Sequence, residues 1–177
     1  MPTGHVFIAT SLDGFIARPD GGLDWLEAAN TAGEEHGYQG FMDGIDGIVM
    51  GRATFDVALG FEPWPYDKPL LVLSRTLDPA GIPSHLADRI TIVRSVSDAL
   101  AEGQRRGWDR VYVDGGATIR AFLDAGAISD MVITRIPVLL GTGLPLFGPM
   151  SGDRPLRHIE TRAFPSGLVQ SRYEVPR

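Results

Sequence analysis

An α/β fold with a largely parallel sheet, finished by a C-terminal antiparallel hairpin, is what the sequence predicts for residues 1–177 as one domain. Three observations predict it. Short uninterrupted apolar runs recur along the chain, stretches with helix-end signals lie between them, and the pattern changes to polar–apolar alternation near the C-terminus.

The runs are Val6–Ala9, Ile48–Met50, Leu70–Leu73, Ile90–Val93, Val111–Val113 and Met131–Ile133. Most do not alternate, which fits strands covered on both faces by helices, as in parallel sheets. A helix is expected from about Arg52, directly after the second run. Another opens at Ser95, where Ser95-Val96-Ser97-Asp98 resembles a capping box, and continues to Arg105 and Arg106 before Gly107 stops it. A third follows Gly116, with Ile119, Phe122 and Leu123 at i, i+3, i+4 spacing and Gly126 at its end. Further on, Val169, Ser171, Tyr173 and Val175 alternate with Gln170, Arg172 and Glu174, the pattern of a half-exposed antiparallel strand. Its partner is His158–Phe164, joined through the short turn Pro165-Ser166-Gly167. No internal repeat, linker or low-complexity segment interrupts this order.

Composition narrows the function. With 44% hydrophobic and 21% charged residues the chain has the apolar content of a folded protein, and its length allows roughly 70% of the unfolded surface to be buried. It has no cysteine, hence no disulfide, thiolate metal site or cysteine nucleophile. Apolar runs of about four residues fall far short of the ~20 that span a bilayer, and the N-terminus lacks signal-peptide features, so a cytoplasmic protein is expected. A net charge of −6 disfavours nucleic acid and anionic membranes as partners. The common phosphate-loop, dinucleotide and G-x-S-x-G fingerprints are missing. His5, His36, His85 and His158 are scattered, Asp43 and Asp46 lack the other ligands of a calcium loop, and no metal is expected.

Four segments at strand ends carry chemistry. They are Ala9–Ala17 leading to Gly21–Trp25, Ile48–Phe55, Leu71–Thr76 and Val111–Ala117. Ligands of open α/β sheets bind beyond the carboxyl ends of the strands, where such segments converge. Gly51-Arg52 at a strand-to-helix junction offers an anion backbone N–H groups, a positive helix end and a guanidinium. Ser74-Arg75 adds a hydroxyl and a second guanidinium, together suited to a phosphate monoester. Gly115-Gly116, without Cβ atoms, lets a diphosphate approach the backbone.

Met50-Gly51-Arg52-x-Thr54-Phe55, Val72-Leu73-Ser74-Arg75 and Val113-Asp114-Gly115-Gly116 resemble the dihydrofolate reductase superfamily. Within it, Ser11-Leu12-Asp13-Gly14-x-Ile16-Ala17 and Pro137–Phe147 resemble the reductase domain of bifunctional riboflavin-pathway deaminase-reductases, the RibD C-terminal type, here standalone. The resemblance implies a dihydrofolate reductase-like three-layer α/β/α fold with NADPH across the strand ends. It makes Arg52, with Gly51, Ala53 and Thr54 at the helix start, and Ser74 and Arg75 readers of the adenosine ribose phosphate, with Arg94 beside the adenine. Gly115 and Gly116, followed by Ala117 and Thr118, correspond to a Gly-Gly pair that adopts a cis peptide, and Ala9 and Ile16 to the nicotinamide pocket. Asp114 departs from the pattern, standing where dihydrofolate reductases begin a Gly triplet.

On the substrate side the resemblance points to Trp25, Phe55, Thr54 and Thr134. Dihydrofolate reductases carry an acid five or six residues beyond the Trp; here Asn30 and Thr31 stand there, and Asn30 supplies a hydrogen bond but no carboxylate. Glu27, Glu34 and Glu35 are read as a solvated helix face. Asp13 has two roles open to it: polar group at the hydride-accepting end, or cap of the turn at Gly14. The Gly141–Phe147 loop either closes over the substrate or connects strands. The expected activity is NADPH-dependent reduction of a ribosylaminopyrimidine or related small heterocycle, of the 5-amino-6-(5-phosphoribosylamino)uracil reductase type. Dihydrofolate or pteridine reduction and a non-catalytic NADP-binding protein of the same fold are the alternatives. Relatives often form homodimers, although the sequence itself marks no interface.

Overall fold

All six apolar runs become strands, and they lie side by side in one sheet. In the computed structural model, which describes residues 1–27, 33–150 and 152–176, the strands are β1 (Thr3–Ser11), β2 (Phe15–Ala17), β3 (Gly47–Gly51), β4 (Leu70–Leu73), β5 (Ile90–Val93), β6 (Arg110–Asp114), β7 (Ile128–Ile136), β8 (Leu144–Pro145), β9 (Arg157–Ala163) and β10 (Val169–Glu174). The helices are α1 (Asp24–Glu27), α2 (Tyr38–Asp43), α3 (Arg52–Ala58), α4 (Val96–Arg105) and α5 (Gly116–Asp124). Eight strands form the main sheet in the order β5-β4-β3-β6-β1-β7-β10-β9, and β2 pairs with β8 apart from it. From β5 to β7 every neighbour is parallel; β10 runs antiparallel to β7 and to β9.

The uninterrupted runs have the predicted physical basis: successive side chains enter different cores. Val49, Leu71, Val111 and Val113 pack with Ile119, Phe122 and Leu123 of α5 and Ala99 and Leu100 of α4. Ile48, Met50, Leu70, Val72 and Tyr112 face the other way, onto Met42 of α2 and Phe55 and Ala58 of α3. Each wholly buried Leu, Ile or Phe contributes about 1.5–3 kcal/mol. The helix ends also follow the sequence. The Ser95 hydroxyl accepts the Asp98 N–H at 3.0 Å, and Gly107 and Gly126 follow α4 and α5 with φ of 74° and 65°. Along β10 the alternation is clear only at buried Ser171 and exposed Arg172, because Gln170 reaches inward to Thr134 and to the His36 carbonyl. β9, the outer edge, is exposed at every residue.

Among the histidines, His5 is satisfied in the interior: its Nδ1 lies 2.8 Å from Asp130 Oδ2 and its Nε2 3.0 Å from Thr3 Oγ1. Burial opposes ionisation of Asp130, yet the His5 bond and charge, with Arg172 at 4.0 Å, outweigh it and hold the carboxyl below its ordinary value. A carboxyl depressed in the folded state contributes stability above its unfolded pKa, near 4, and loses it as pH falls through the folded value. Asp130→Asn is therefore expected to cost about 1–2 kcal/mol at neutral pH and to flatten the acid limb of a urea-unfolding series. An unchanged acid limb would show that Asp130 has no part in it.

Candidate functional site

At the carboxyl ends of β3 and β6 the chain turns directly into α3 and α5, and between these turns lies a cleft of about 380 Å³. Gly51, Arg52, Ala53 and Thr54 line one side, Gly115, Gly116, Ala117 and Thr118 the floor, and Ile16 the opposite wall. Segments more than 60 residues apart in sequence thus meet, as the strand-end reading predicts. Gly115 sits at φ 87°, ψ 132°, and a Cβ there would stand 2.2 Å from Thr54 Oγ1. The Gly115–Gly116 bond itself is trans, a correction to the expected cis peptide: among the described residues the cis bond is Glu62–Pro63. The positive φ of Gly115, with its N–H on Asp114 Oδ1 at 2.8 Å, makes the turn instead.

The guanidiniums differ in what already holds them. Arg52 Nε donates to both carboxylate oxygens of Asp56, at 2.7 and 2.8 Å. Arg75, exposed beyond β4, has no side-chain partner among the described residues. Ser74, Arg75 and Arg94 lie outside the cleft lining, and Ser74 and Arg94 shape the turn that carries Arg75. The Ser74 hydroxyl accepts the N–H groups of Thr76 and Leu77, and Arg94 Nη1 donates to the carbonyls of Ser74 and Leu77 at 2.7 and 3.1 Å. Ala9 packs outside the cleft lining, in a third apolar cluster with Trp25, Ile136 and Leu168.

The expected substrate side needs more correction. Phe55 is wholly buried in the core beneath α3, its ring 6.3 Å from that of Trp64, and has no surface to offer a ligand. Trp25 is 4% exposed, and its Nε1 has no hydrogen-bond partner among the described residues. Thr134 is buried with its hydroxyl accepting from Gln170 Nε2 at 3.0 Å. Asp13 clamps a loop rather than holding a proton. Its oxygens accept the Ser11 hydroxyl at 2.6 Å and the N–H groups of Leu140 and Gly141 at 3.2 and 2.8 Å. These bonds, that of Ser11 foremost, hold its carboxyl below the ordinary value and hence ionised. Glu34 is no solvated-face residue either: it accepts from the Ser166 hydroxyl and from His36, tying the chain before α2 to the β9–β10 turn. Asn30 and Thr31 lie outside the described residues.

Two groups escaped the sequence reading. Asp114, one residue before the cleft floor, lies on the same face of β6 as Tyr112, and the Tyr66 phenol donates to its Oδ2 across a long 3.4 Å. Burial pushes its carboxyl above the ordinary value, against the Gly115 N–H and the phenols of Tyr112 and Tyr66. Burial likewise raises the phenols, with Asp114 adding to it; Tyr38 is pushed up to about 12. Tyr38, Trp64, Tyr66 and Arg89 line a second cavity of about 300 Å³. The signal in the sequence was the one departure noted, a carboxylate before the Gly-Gly pair at a buried strand end. The other group is Arg120 of α5, which lines the cleft and donates to the carbonyls of Pro145 and Leu146. Of the Gly141–Phe147 loop, Leu144 and Pro145 form part of the cleft wall.

Among the described residues no cluster of metal-ligating side chains occurs, and no helix is long and apolar enough to cross a membrane.

Comparison with known proteins agrees with this architecture. YwjB of Bacillus subtilis (strain 168) is 32% identical over 163 residues, covering 90% of each chain. YyaP of the same organism is 28% identical over 180 residues, covering 94% of this chain and 91% of its own. A crystal structure from Shewanella sp. PV-4, named as a candidate riboflavin biosynthesis protein, superimposes with a TM-score of 0.91 at 40% identity over 99% of each chain. The Thermotoga maritima diaminohydroxyphosphoribosylaminopyrimidine deaminase/5-amino-6-(5-phosphoribosylamino)uracil reductase shares the fold at a TM-score of 0.74 and 14% identity, with 57% of its length covered. These neighbours have the dihydrofolate reductase-like fold. The family description RibD C-terminal domain matches residues 2–170, and the chain belongs to that family.

Proposed function

We propose that the protein is an NADPH-dependent reductase of a small nitrogen heterocycle, of the kind that acts on ribosylaminopyrimidines in riboflavin synthesis. The observation that carries this reading is the cleft at the ends of β3 and β6, where Gly51-Arg52 and Gly115-Gly116 come together. Its residues fit a dinucleotide. Gly115 and Gly116 in the floor lack Cβ atoms, the form that lets a diphosphate approach a backbone; Arg52 lines the cleft, and Arg75, at the end of β4 beyond that lining, offers a second fork for a phosphate monoester. Leu73, Ile16 and Pro145 give the apolar contact that planar rings use.

When bound, NADPH supplies a hydride. Asp114, one residue before the cleft floor, is the group to which this reading gives the accompanying proton: burial shifts its carboxyl toward the protonated form, against the Gly115 N–H and the phenols of Tyr112 and Tyr66. Asp13 serves by fixing the Leu140–Gly141 loop. Tyr38, Trp64 and Tyr66 supply aromatic walls for a heterocycle beside Asp114.

Absorbance of NADPH, followed against a panel of ribosylaminopyrimidine, dihydropteridine and dihydrofolate compounds, tests the activity. Oxidation with the first group is expected. Tight cofactor binding without oxidation by any of them would leave a nucleotide-binding protein. Arg75→Ala is expected to weaken NADPH by about 1–2 kcal/mol, the range for a charged but solvent-screened hydrogen bond, and to leave NADH unchanged. Equal loss for both cofactors would remove Arg75 from the phosphate site.

A further inference from the structure

The two guanidiniums that line the cleft are not equivalent. Arg52 carries its own counter-charge in Asp56, whereas Arg120 has no ion-pair partner among the described residues. Arg120 leans across the floor and places Nη1 between two neutral acceptors, the carbonyls of Pro145 at 3.0 Å and Leu146 at 3.1 Å. Its Nε and Nη2 have no protein acceptor among the described residues.

The surrounding backbone is shaped around this side chain. A Cβ at Gly116 would stand 2.9 Å from the Pro145 carbonyl and 3.2 Å from Arg120 Nη1, so only glycine lets both come over the floor. The carbonyls it meets belong to a strap formed by β2 and β8, in which Phe15 pairs with Pro145, Ala17 with Leu144, and Leu146 N–H donates to the Gly14 carbonyl at 3.0 Å. Arg120 thus joins the cleft floor to the strap that bounds it.

We propose that Arg120 is the cation that binds the diphosphate bridge of a dinucleotide in this cleft, exchanging the carbonyls of Pro145 and Leu146 for phosphate oxygens. The inference rests on the reading of the cleft as a dinucleotide site. A guanidinium–phosphate bond joins opposite charges and can be bidentate, which a neutral carbonyl cannot match, so the exchange is favourable. The two spare donor nitrogens allow a second bond that the carbonyls do not use. Arg52 and Arg75, at the ends of β3 and β4, remain for the ribose monoester, so the two phosphate groups have separate cations.

Calorimetric titration of the full chain with NADP⁺ and with adenosine 2′-phosphate, which has the ribose monoester but no diphosphate, separates these roles. Arg120→Met is expected to weaken NADP⁺ about ten- to hundredfold and adenosine 2′-phosphate less than about threefold. Arg120→Lys, which retains the charge, is expected to recover NADP⁺ binding to within about tenfold of the unmodified protein. Equal losses for both ligands, or no loss for either, would overturn the assignment of Arg120 while leaving the cleft a dinucleotide site. Failure of the unmodified protein to bind either ligand would overturn the reading of the cleft itself, and this assignment with it.

Discussion

Gly115→Ala is expected to lose about 2–4 kcal/mol of stability and nearly all dinucleotide binding. Two independent costs add. The backbone at φ 87°, ψ 132° lies where L-residues are strained by about 1–3 kcal/mol. The new methyl would also sit 2.2 Å from Thr54 Oγ1, so the Thr54 side chain has to turn away from the cleft floor. That movement displaces Thr54, which lines the cleft, and so disturbs the site as well as the fold. Urea unfolding and cofactor titration read the two effects separately. The double variant with Thr54→Ala is expected to recover only the part due to crowding, since the backbone strain remains. A single variant within about 0.5 kcal/mol of the unmodified protein would show that the turn relaxes freely.

The second large effect concerns Asp114→Asn. Loss of a positioned proton donor is expected to lower kcat by about 10²–10³-fold, with NADPH affinity changed less than about threefold, because Asp114 precedes the cleft floor without being part of the lining that would hold the cofactor. Stability should respond in the opposite sense. A carboxyl whose folded pKa is raised stabilises the fold most below its unfolded pKa, and that contribution is lost as pH rises through the folded value. At neutral pH the amide removes the penalty of a buried acid, so the variant should be as stable as its parent or more so. Its kcat should also lose the fall that the parent shows as pH rises through the Asp114 pKa. If kcat is unchanged, the proton comes from elsewhere; if kcat and stability fall together, Asp114 is a structural residue.

Much of this architecture was legible in the sequence because its signals are local. Buried parallel strands need apolar side chains on both faces, so Leu70–Leu73 and Ile90–Val93 appear as runs with the same limits as β4 and β5. Ser95, Gly107 and Gly126 mark helix ends through their own side chains or the lack of one. The short elements β2, β8, α1 and α2 were not legible, since segments of two to six residues take their form from what they pack against.

At the site, glycine positions could be read because missing Cβ atoms leave few alternatives. Directions could not. Phe55 is one residue beyond Thr54, yet a step of one residue around a helix turns a side chain from the cleft into the core. Asp13, Asp114 and Arg120 are defined by partners far along the chain: Gly141, Tyr66 and Pro145. Nothing in the neighbouring residues records those meetings.

The position of β6 between β1 and β3 carries a consequence for how the molecule is made. β1 is synthesised first, but both of its sheet neighbours, β6 and β7, lie beyond residue 109. β3, β4 and β5 can associate early; the amino-terminal strand must wait, unpaired, until the ribosome has delivered most of the chain. Such distant pairings impose a large entropic toll before any contact rewards them. The central seam of the sheet therefore stays open until β6 and β7 emerge, and only the β9–β10 hairpin is added after it.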